Sequence, residues 1–128
     1  MTLSGTDQIT SLLTTFLNVQ SKRAEVTSAN IANAETPGYH AQEVDFATYL
    51  NQAAENATAP FGQGASPLQD GTRVVEQALP EMIRMDGNTV DMQREMSTLS
   101  ETGMQFLAGT QMLQSRLRPL RSAIREGR

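Results

Sequence analysis

The sequence predicts a mainly α-helical protein. Two long, heptad-patterned terminal helices are expected to form a coiled-coil-like hairpin, with a partly disordered or extended middle segment. Apolar residues recur every three or four positions near both ends of the 128-residue chain, whereas its middle is rich in Ala, Gly, Gln and Pro. Leu, Ile, Val and Phe number 26 of the 128 residues, a level at which a packed core is marginal. We therefore expect one structural unit with three parts: an N-terminal helix (1–34), a turn motif and flexible middle (35–87) and a C-terminal helix (88–128).

The N-terminal helix is predicted from about Asp7 to Asn33. Five apolar residues occupy a and d positions of a heptad repeat along it: Ile9, Leu12, Phe16, Val19 and Val26. The same register places Arg23, Asn30 and Asn33 on the seam, so the second half of this helix becomes polar.

The C-terminal helix is predicted to begin after Asn88, a residue that suits an N-cap position, with Asp91 in its first turn. Its heptad seam consists of Met92, Met96, Leu99, Gly103, Phe106, Thr110, Leu113, Leu117, Leu120 and Ile124. We expect an assembly seam formed by Ile9, Leu12, Phe16, Val19, Met96, Leu99, Phe106, Leu113, Leu117 and Leu120.

Three residues interrupt the C-terminal helix pattern. Gly103 and Gly109 each cost about 1 kcal/mol against alanine in a helix, which suggests either close backbone approach at the seam or a flexible unassembled state. Pro119 has no amide hydrogen to donate, so it should kink or end the helix near Arg118.

The middle of the chain carries weaker patterns. Asp45 could cap a short helix from Phe46 to about Glu55. Residues 56–71 have the composition of a flexible linker. Residues 72–85 carry a few apolar side chains around Pro80, which suits a short helix or an extended segment.

Residue types exclude most catalytic chemistry. There is no cysteine for a disulfide, thiolate metal site or thiol nucleophile, and His40, the only histidine, is expected at the surface. The pair Gly62 and Gly64 lacks the strand–loop–helix context of a nucleotide loop. Aromatic residues are few, so no ligand pocket is apparent. We therefore expect no enzyme activity, no metal, no cofactor and no small-molecule substrate.

Two patterns leave alternatives open. Five of the ten basic residues lie in the last thirteen positions: Arg116, Arg118, Arg121, Arg125 and Arg128. They could bind nucleic acid or acidic lipid, but the favoured interpretation is a helix end that complements its own dipole and acidic neighbours. The methionines at 92, 96, 104 and 112 could form an adaptable partner-binding surface, although seam filling is the favoured interpretation.

The most specific motif lies at the end of the N-terminal helix. Asn30 and Asn33 share one helix face, where amides can cap carbonyls or pair with another chain but cannot perform acid–base chemistry. Thr36-Pro37-Gly38-Tyr39 suits a type II turn, because proline presets φ and glycine accepts the positive φ that follows. With Ala29, the order A-N-x-x-N-x-x-T-P-G-Y resembles the N-terminal signature of the flagellar rod and hook family of axial proteins.

Residues 86–96 resemble the start of the C-terminal helix throughout that family, and residues 39–46 and 120–128 are similar to its proximal-rod members in particular. The resemblance implies a structural subunit of the flagellar basal-body rod, which assembles through its terminal helices and transmits motor torque. Its implied partners are itself, other rod subunits, the export gate and inner-membrane ring components. No nucleic-acid partner is expected.

The implied location is the periplasmic rod, reached through the flagellum's own export apparatus. Residues 1–20 lack the basic start and cleavage site of a secretory signal, so export without a cleaved signal peptide is expected. No apolar run is long enough to span a membrane. The alternative function is a cytoplasmic coiled-coil adaptor or export chaperone, which would fold as a stable small oligomer.

Overall fold

The computed structural model describes residues 3–46, 48, 51, 73–77 and 83–127, and within these the side chains of residues 3–8, 120 and 126 are left out. Four elements follow in chain order: α1 (Leu3–Ala32), β1 (Gln42–Val44), β2 (Val74–Glu76) and α2 (Met92–Glu126). The predicted fold class, mainly helical with two long terminal helices, is confirmed.

The two helices run antiparallel. Asn30, near the end of α1, contacts Glu95 near the start of α2, whereas Leu17 lies beside Gly109 further along α2. Helix α1 begins at Leu3 rather than Asp7 and ends one residue before Asn33. The apolar pattern therefore underestimates the length of α1 at its N-terminus, which lies at the open end of the hairpin, away from Asn30 and Glu95.

The start of α2 differs from the prediction. Asp91, not Asn88, is the N-cap: its carboxylate accepts the amide hydrogens of Gln93 at 3.0 Å and Arg94 at 3.2 Å. The assignment of Asn88 as the cap is wrong because its side-chain NH₂ donates to carbonyls at the end of α1 instead.

Helix α2 continues through Pro119 as far as Glu126. The prediction that Pro119 could end the helix near Arg118 is therefore wrong. Proline removes a single N–H donor, and the turns on either side keep their own helical bonds. The helix stops at Gly127, whose amide donates to Ala123 O at 3.2 Å.

The middle of the chain contributes a two-stranded antiparallel sheet. Glu43 of β1 faces Val75 of β2, and the pairing extends beyond both strands because Asp45 N–H donates to Arg73 O and Gln77 N–H donates to Ala41 O, each at 3.0 Å. The part of residues 72–85 that forms β2 is thus extended, one of the two conformations expected there.

Asp45 caps a helical stretch, as predicted. Its carboxylate accepts from Thr48 N–H at 3.2 Å and from the Thr48 hydroxyl at 2.8 Å, and Phe46, Thr48 and Asn51 are helical. These two hydrogen bonds lower the pKa of Asp45, the side-chain bond most strongly. The rest of the predicted helix, the linker 56–71 and its two glycines lie outside the described residues.

Burial within the described chain is modest and falls into two clusters. The first joins α1 to the sheet through Val19, Val26 and Val44, with Phe46 and Val74 packed against it. The second lies under the turn and consists of Ala34, Ala41 and Val90, with Tyr39 against it. Small clusters of this size fit the low content of large aliphatic residues noted in the sequence.

The two glycines of α2 have different surroundings. A Cβ on Gly109 would lie 3.0 Å from Leu17 Cδ2 and 3.2 Å from Phe16 Cδ1, so α1 and α2 do approach closely there. A Cβ on Gly103 would meet no atom within 4 Å, so no close approach among the described residues accounts for this glycine.

We expect Gly103→Ala to raise the free energy of unfolding of the isolated chain by about 1 kcal/mol, because it removes a helix penalty without a clash. Gly109→Ala should give no gain or a loss, since its methyl group would require Phe16 and Leu17 to move. Urea unfolding followed by circular dichroism measures both. Equal gains at the two sites would contradict the packing described here.

Candidate functional site

The turn after α1 has the geometry that its sequence predicts. Gly38 has φ +71°, and Tyr39 N–H donates to Thr36 O at 3.3 Å, as in a type II turn led by Pro37. The turn then docks on the segment that precedes α2, because Gly38 N–H donates to Asp86 O at 2.9 Å. This docking ties the end of one helix to the beginning of the other.

Asn88 caps the C-terminal end of α1. Its side-chain NH₂ donates to Asn33 O, Ala34 O and Thr36 O at 2.8–3.1 Å, and its Oδ1 accepts from Val90 N–H at 2.8 Å. The residue has no exposed surface. Carbonyls at a helix end lack partners within the helix, so a buried NH₂ group whose two hydrogens are shared among three carbonyls stabilises this end.

Two further groups support the same helix end. The Arg84 guanidinium donates to Ala34 O at 2.6 Å and reaches Glu35 at 3.4 Å. Gly87 has φ +80°, and a Cβ there would lie 3.5 Å from Gly38 Cα, so the two glycine turns face each other. The sequence does not predict that Arg84, Gly87 and Asn88 support the end of α1, because their partners lie far away along the chain.

Asn30 is the centre of the hydrogen-bond network. Its Nδ2 donates to Gln42 O at 2.7 Å and to Glu95 Oε2 at 3.1 Å, while its Oδ1 accepts from the Tyr39 hydroxyl at 3.1 Å and from Gln42 N–H at 3.0 Å. The residue is fully buried, and its amide uses both hydrogens and two acceptor positions. One side chain thus joins α1, the turn, β1 and α2.

Glu95 extends this network towards β2. The carboxylate is 2% exposed, and its Oε1 accepts from Gln77 Nε2 at 2.8 Å. Burial raises the pKa of Tyr39, and the negative charge of Glu95 raises it further. We call the five side chains Asn30, Tyr39, Gln77, Asn88 and Glu95 the polar joint.

The rest of the sequence motif acts locally. Asn33 Nδ2 donates to Ala29 O at 2.8 Å, and the Thr36 hydroxyl donates to Asn33 Oδ1 at 3.2 Å. Ala29, Thr36 and Pro37 are exposed. The two asparagines therefore do different work: Asn30 bonds across the fold, whereas Asn33 closes the last turn of its own helix.

The residues of the expected assembly seam divide by burial. Val19 is buried, and Phe16, Leu99, Leu113 and Leu117 are half-buried, whereas Ile9, Leu12, Met96 and Phe106 are 42–58% exposed. The side chain of Leu120 is not among those that the structure describes. The free hairpin thus leaves part of this seam in contact with solvent.

The face of α2 that is buried against α1 lies beside its heptad seam rather than on it. Glu95, Thr102 and Gly109 are buried and recur every seven residues, each one position before a seam residue. Neighbouring positions on a helix are about 100° apart, so the apolar seam is turned towards the flank of the hairpin. We call the exposed seam residues Met92, Met96, Phe106 and Ile124 the apolar flank.

Other candidates from the sequence lie at the surface. His40 contacts Glu76 there, both side chains being more than half exposed. All four helical methionines are exposed, Met92 at 39% and the other three at 58–70%, so they do not fill a core within the chain. In the basic tail, Arg118, Arg121 and Arg125 are exposed and Arg116 is half-buried, while Arg128 lies outside the described residues.

Within the described residues there is no group of three His, Cys, Asp or Glu side chains that could hold a metal ion. None of the helices described is long and apolar enough to cross a membrane.

The described residues thus form a helix pair that polar contacts join at one end and that exposes apolar residues along its flank. The family model for the flagella basal body rod protein matches residues 16–40, which include the motif around Asn30 and the turn. The match covers 25 of the 128 residues and indicates similarity to flagellar rod proteins in that segment.

The relatives specify the family further. The flagellar basal body rod protein FlgB of Proteus mirabilis (strain HI4320) is 33% identical over 122 residues, which cover 87% of this chain and 89% of the relative. FlgB of Salmonella typhimurium and FlgB of Escherichia coli (strain K12) are each 32% identical over 122 residues, covering 87% of this chain and 88% of each relative. The chain belongs to the FlgB family of structural flagellar basal body rod proteins.

Asn30→Ala should lower the free energy of unfolding by about 3 kcal/mol, because the buried carboxylate of Glu95 and part-buried groups of Gln42 and Tyr39 lose their partner. Asn33→Ala, the matched control in the same motif, removes only local bonds and should cost about 1 kcal/mol or less. Chemical unfolding of the two variants beside the parent chain measures the difference. Similar losses would mean that Asn30 is not the centre of the joint.

Stability should also fall at alkaline pH through Tyr39. Because its folded-state pKa is raised, the folded chain holds this proton more tightly than the unfolded chain. This contribution is therefore fully present below a pH of about 10 and is lost as the pH rises through the raised pKa. Tyr39→Phe should cost about 1 kcal/mol at neutral pH but weaken the alkaline loss. An unchanged alkaline slope in unfolding experiments on this variant would contradict the assignment.

Proposed function

We propose that this chain is a rod subunit that joins its neighbours through the apolar flank while the polar joint holds its two helices in one arrangement. The observation that carries the proposal is the exposure of the heptad seam: Met96 is 58% exposed and Phe106 42% exposed, although both belong to the strongest periodic pattern in the sequence. A regular apolar seam that the described residues leave partly uncovered is suited to contact with another helix.

The open end of the hairpin supplies a second uncovered area. Ile9 is 42% exposed and Leu12 53% exposed on α1, and Ile124 is 74% exposed near the end of α2. Because these residues lie far from the polar joint, partner contacts there need not disturb it. Terminal helices that present apolar surface along much of their length can support the repeated contacts of a rod.

We propose that the polar joint keeps the subunit rigid while it transmits torque. A subunit that passes on rotation must not change shape under load, and buried, satisfied hydrogen bonds between four segments resist a change in the relative position of the helices. The side chain of Asn30 bonds to the turn, β1 and α2, and that of Asn88 bonds to residues that follow α1, over separations of 9–65 residues in the sequence. We assign the joint this mechanical role.

The finer placement rests on family membership and on the resemblance of the chain's ends. We place the subunit at the proximal, periplasmic part of the rod, where it is a neighbour of other rod subunits, the export gate and the inner-membrane ring. We propose export through the flagellar apparatus without a cleaved signal peptide. The adaptor or chaperone alternative gains no support from the relatives reported above, which are named as rod proteins.

A matched pair of methionine variants tests the apolar flank. Met96→Asp puts a charge on the seam, whereas Met112→Asp makes the same change on another face of α2 at similar exposure, 62% against 58%. Both variants should fold as the parent does, because exposed positions tolerate charge. Met96→Asp should abolish swimming and rod completion, since an unpaired carboxylate buried between subunits is costly. Met112→Asp should swim.

Circular dichroism and an immunoblot for exported protein must accompany the motility assay, so that misfolding and failed export are recognised. If Met96→Asp is exported, completes rods and swims as the parent does, the apolar flank is not an assembly surface and the proposal is wrong.

A further inference from the structure

A hydrogen-bonded turn lies at the end of the hairpin that carries the polar joint. Gly87 N–H donates to Arg84 O at 2.9 Å, which makes Met85 and Asp86 the two central residues of a β-turn. Asp86 O in turn accepts from Gly38 N–H at 2.9 Å, so the turn is tied to the end of α1. We call residues 84–87 the end turn.

The end turn presents an apolar side chain to solvent. Met85 is fully exposed, and Ile83, just before the turn, is 67% exposed. Arg84, between them, reaches inwards instead and donates to Ala34 O at 2.6 Å. Turns are usually formed by small or polar residues, so a large apolar side chain at the centre of a turn with a fixed backbone needs an explanation. Contact with a partner explains it.

The same end of the hairpin carries negative charge. Asp86 and Asp91 are exposed and make no ion pair with a described side chain. Glu35 is also exposed, and its carboxylate reaches Arg84 only at 3.4 Å. An apolar projection and unpaired acidic groups therefore lie together at this end.

The open end of the hairpin carries positive charge. Arg118, Arg121 and Arg125 follow one another at three- and four-residue spacing, so they share one face of α2. All three are exposed, and none forms an ion pair in the part of the chain that the structure describes. Ile124 lies next to Arg125 and one helical turn after Arg121, and it is 74% exposed. This end thus combines an exposed apolar side chain with unpaired basic groups.

We propose that the end turn of one copy of this chain binds the open end of a second copy, with Met85 packed on Ile124. Asp86 then lies beside Arg121 and Arg125 and pairs with them. The charges select this partner, because two like ends repel each other whereas unlike ends attract.

The two surfaces lie at opposite ends of one chain, so the contact is head to tail and does not close into a dimer. This inference rests on the proposed function, since it adds an end-to-end contact between copies to the contacts along the apolar flank.

Disulfide trapping tests the contact, because the chain has no cysteine of its own. In the variant Met85→Cys with Ile124→Cys, oxidation of isolated basal bodies should link copies into dimers and longer chains. The matched control is Met85→Cys with Met112→Cys, whose second thiol is at a similarly exposed position about 18 Å away along α2. It should give about tenfold less product, because a disulfide requires Cα atoms within about 7 Å.

Charge variants of the same cysteine pair test the choice of partner. Arg121→Glu with Arg125→Glu should lower the yield of linked copies about tenfold, because attraction to Asp86 becomes repulsion. Asp86→Asn should also lower the yield, although its side-chain oxygen can still accept from Asn88 N–H and keep the turn. Arg73→Glu, the same change of charge far from the open end, should leave the yield unchanged. A yield that none of these changes alters would contradict the proposed pairing.

Three further results would overturn the inference: rods that assemble without a link between copies, a disulfide dimer formed efficiently by Met85→Cys alone, or a link only to a chain of different mass. Met85→Asp decides the case in which the cysteine pair prevents rod assembly. Circular dichroism should match the parent, because the side chain is fully exposed, but rods should not be completed. If Met85→Asp completes rods while Met96→Asp does not, the inference falls and the proposed function stands.

Discussion

The hydrogen bonds of one buried amide hold this structure together. Asn30 satisfies both hydrogens and two acceptor positions of its side chain with groups from the turn, β1 and α2. Among the described residues, apolar burial is confined to two small clusters. Geometry is therefore specified by directional bonds, which allow one relative position of the helices, rather than by apolar packing, which allows several.

Because hydrogen bonds fix the relative position of the helices, apolar surface stays available for assembly. The polar joint and the residues Glu95, Thr102 and Gly109 occupy the contact between α1 and α2. Part of the heptad seam, including Met96 and Phe106, is turned to the flank, whereas Leu99, Leu113 and Leu117 are half-buried. A subunit built in this way is held by polar contacts within the chain and offers apolar contacts to its neighbours.

Sequence reasoning recovered the local features and missed the long-range ones. The two helices, the turn at Gly38 and the cap at Asp45 each depend on a few neighbouring residues, so periodicity and turn chemistry could predict them. The roles of Asn88 and Glu95 depend on partners 18–65 residues away, which no local pattern reveals. Asn88 suited an N-cap by type, but tertiary contacts with α1 gave it another use.

The most direct measurement is an electron cryo-microscopy map of the isolated basal body that resolves side chains of this subunit. The account predicts that Asn30 remains bonded to Glu95 within one chain while Met96 and Phe106 are buried against neighbouring chains. A map in which Met96 and Phe106 pack on α1 of their own chain, with Asn30 separated from Glu95, would contradict it.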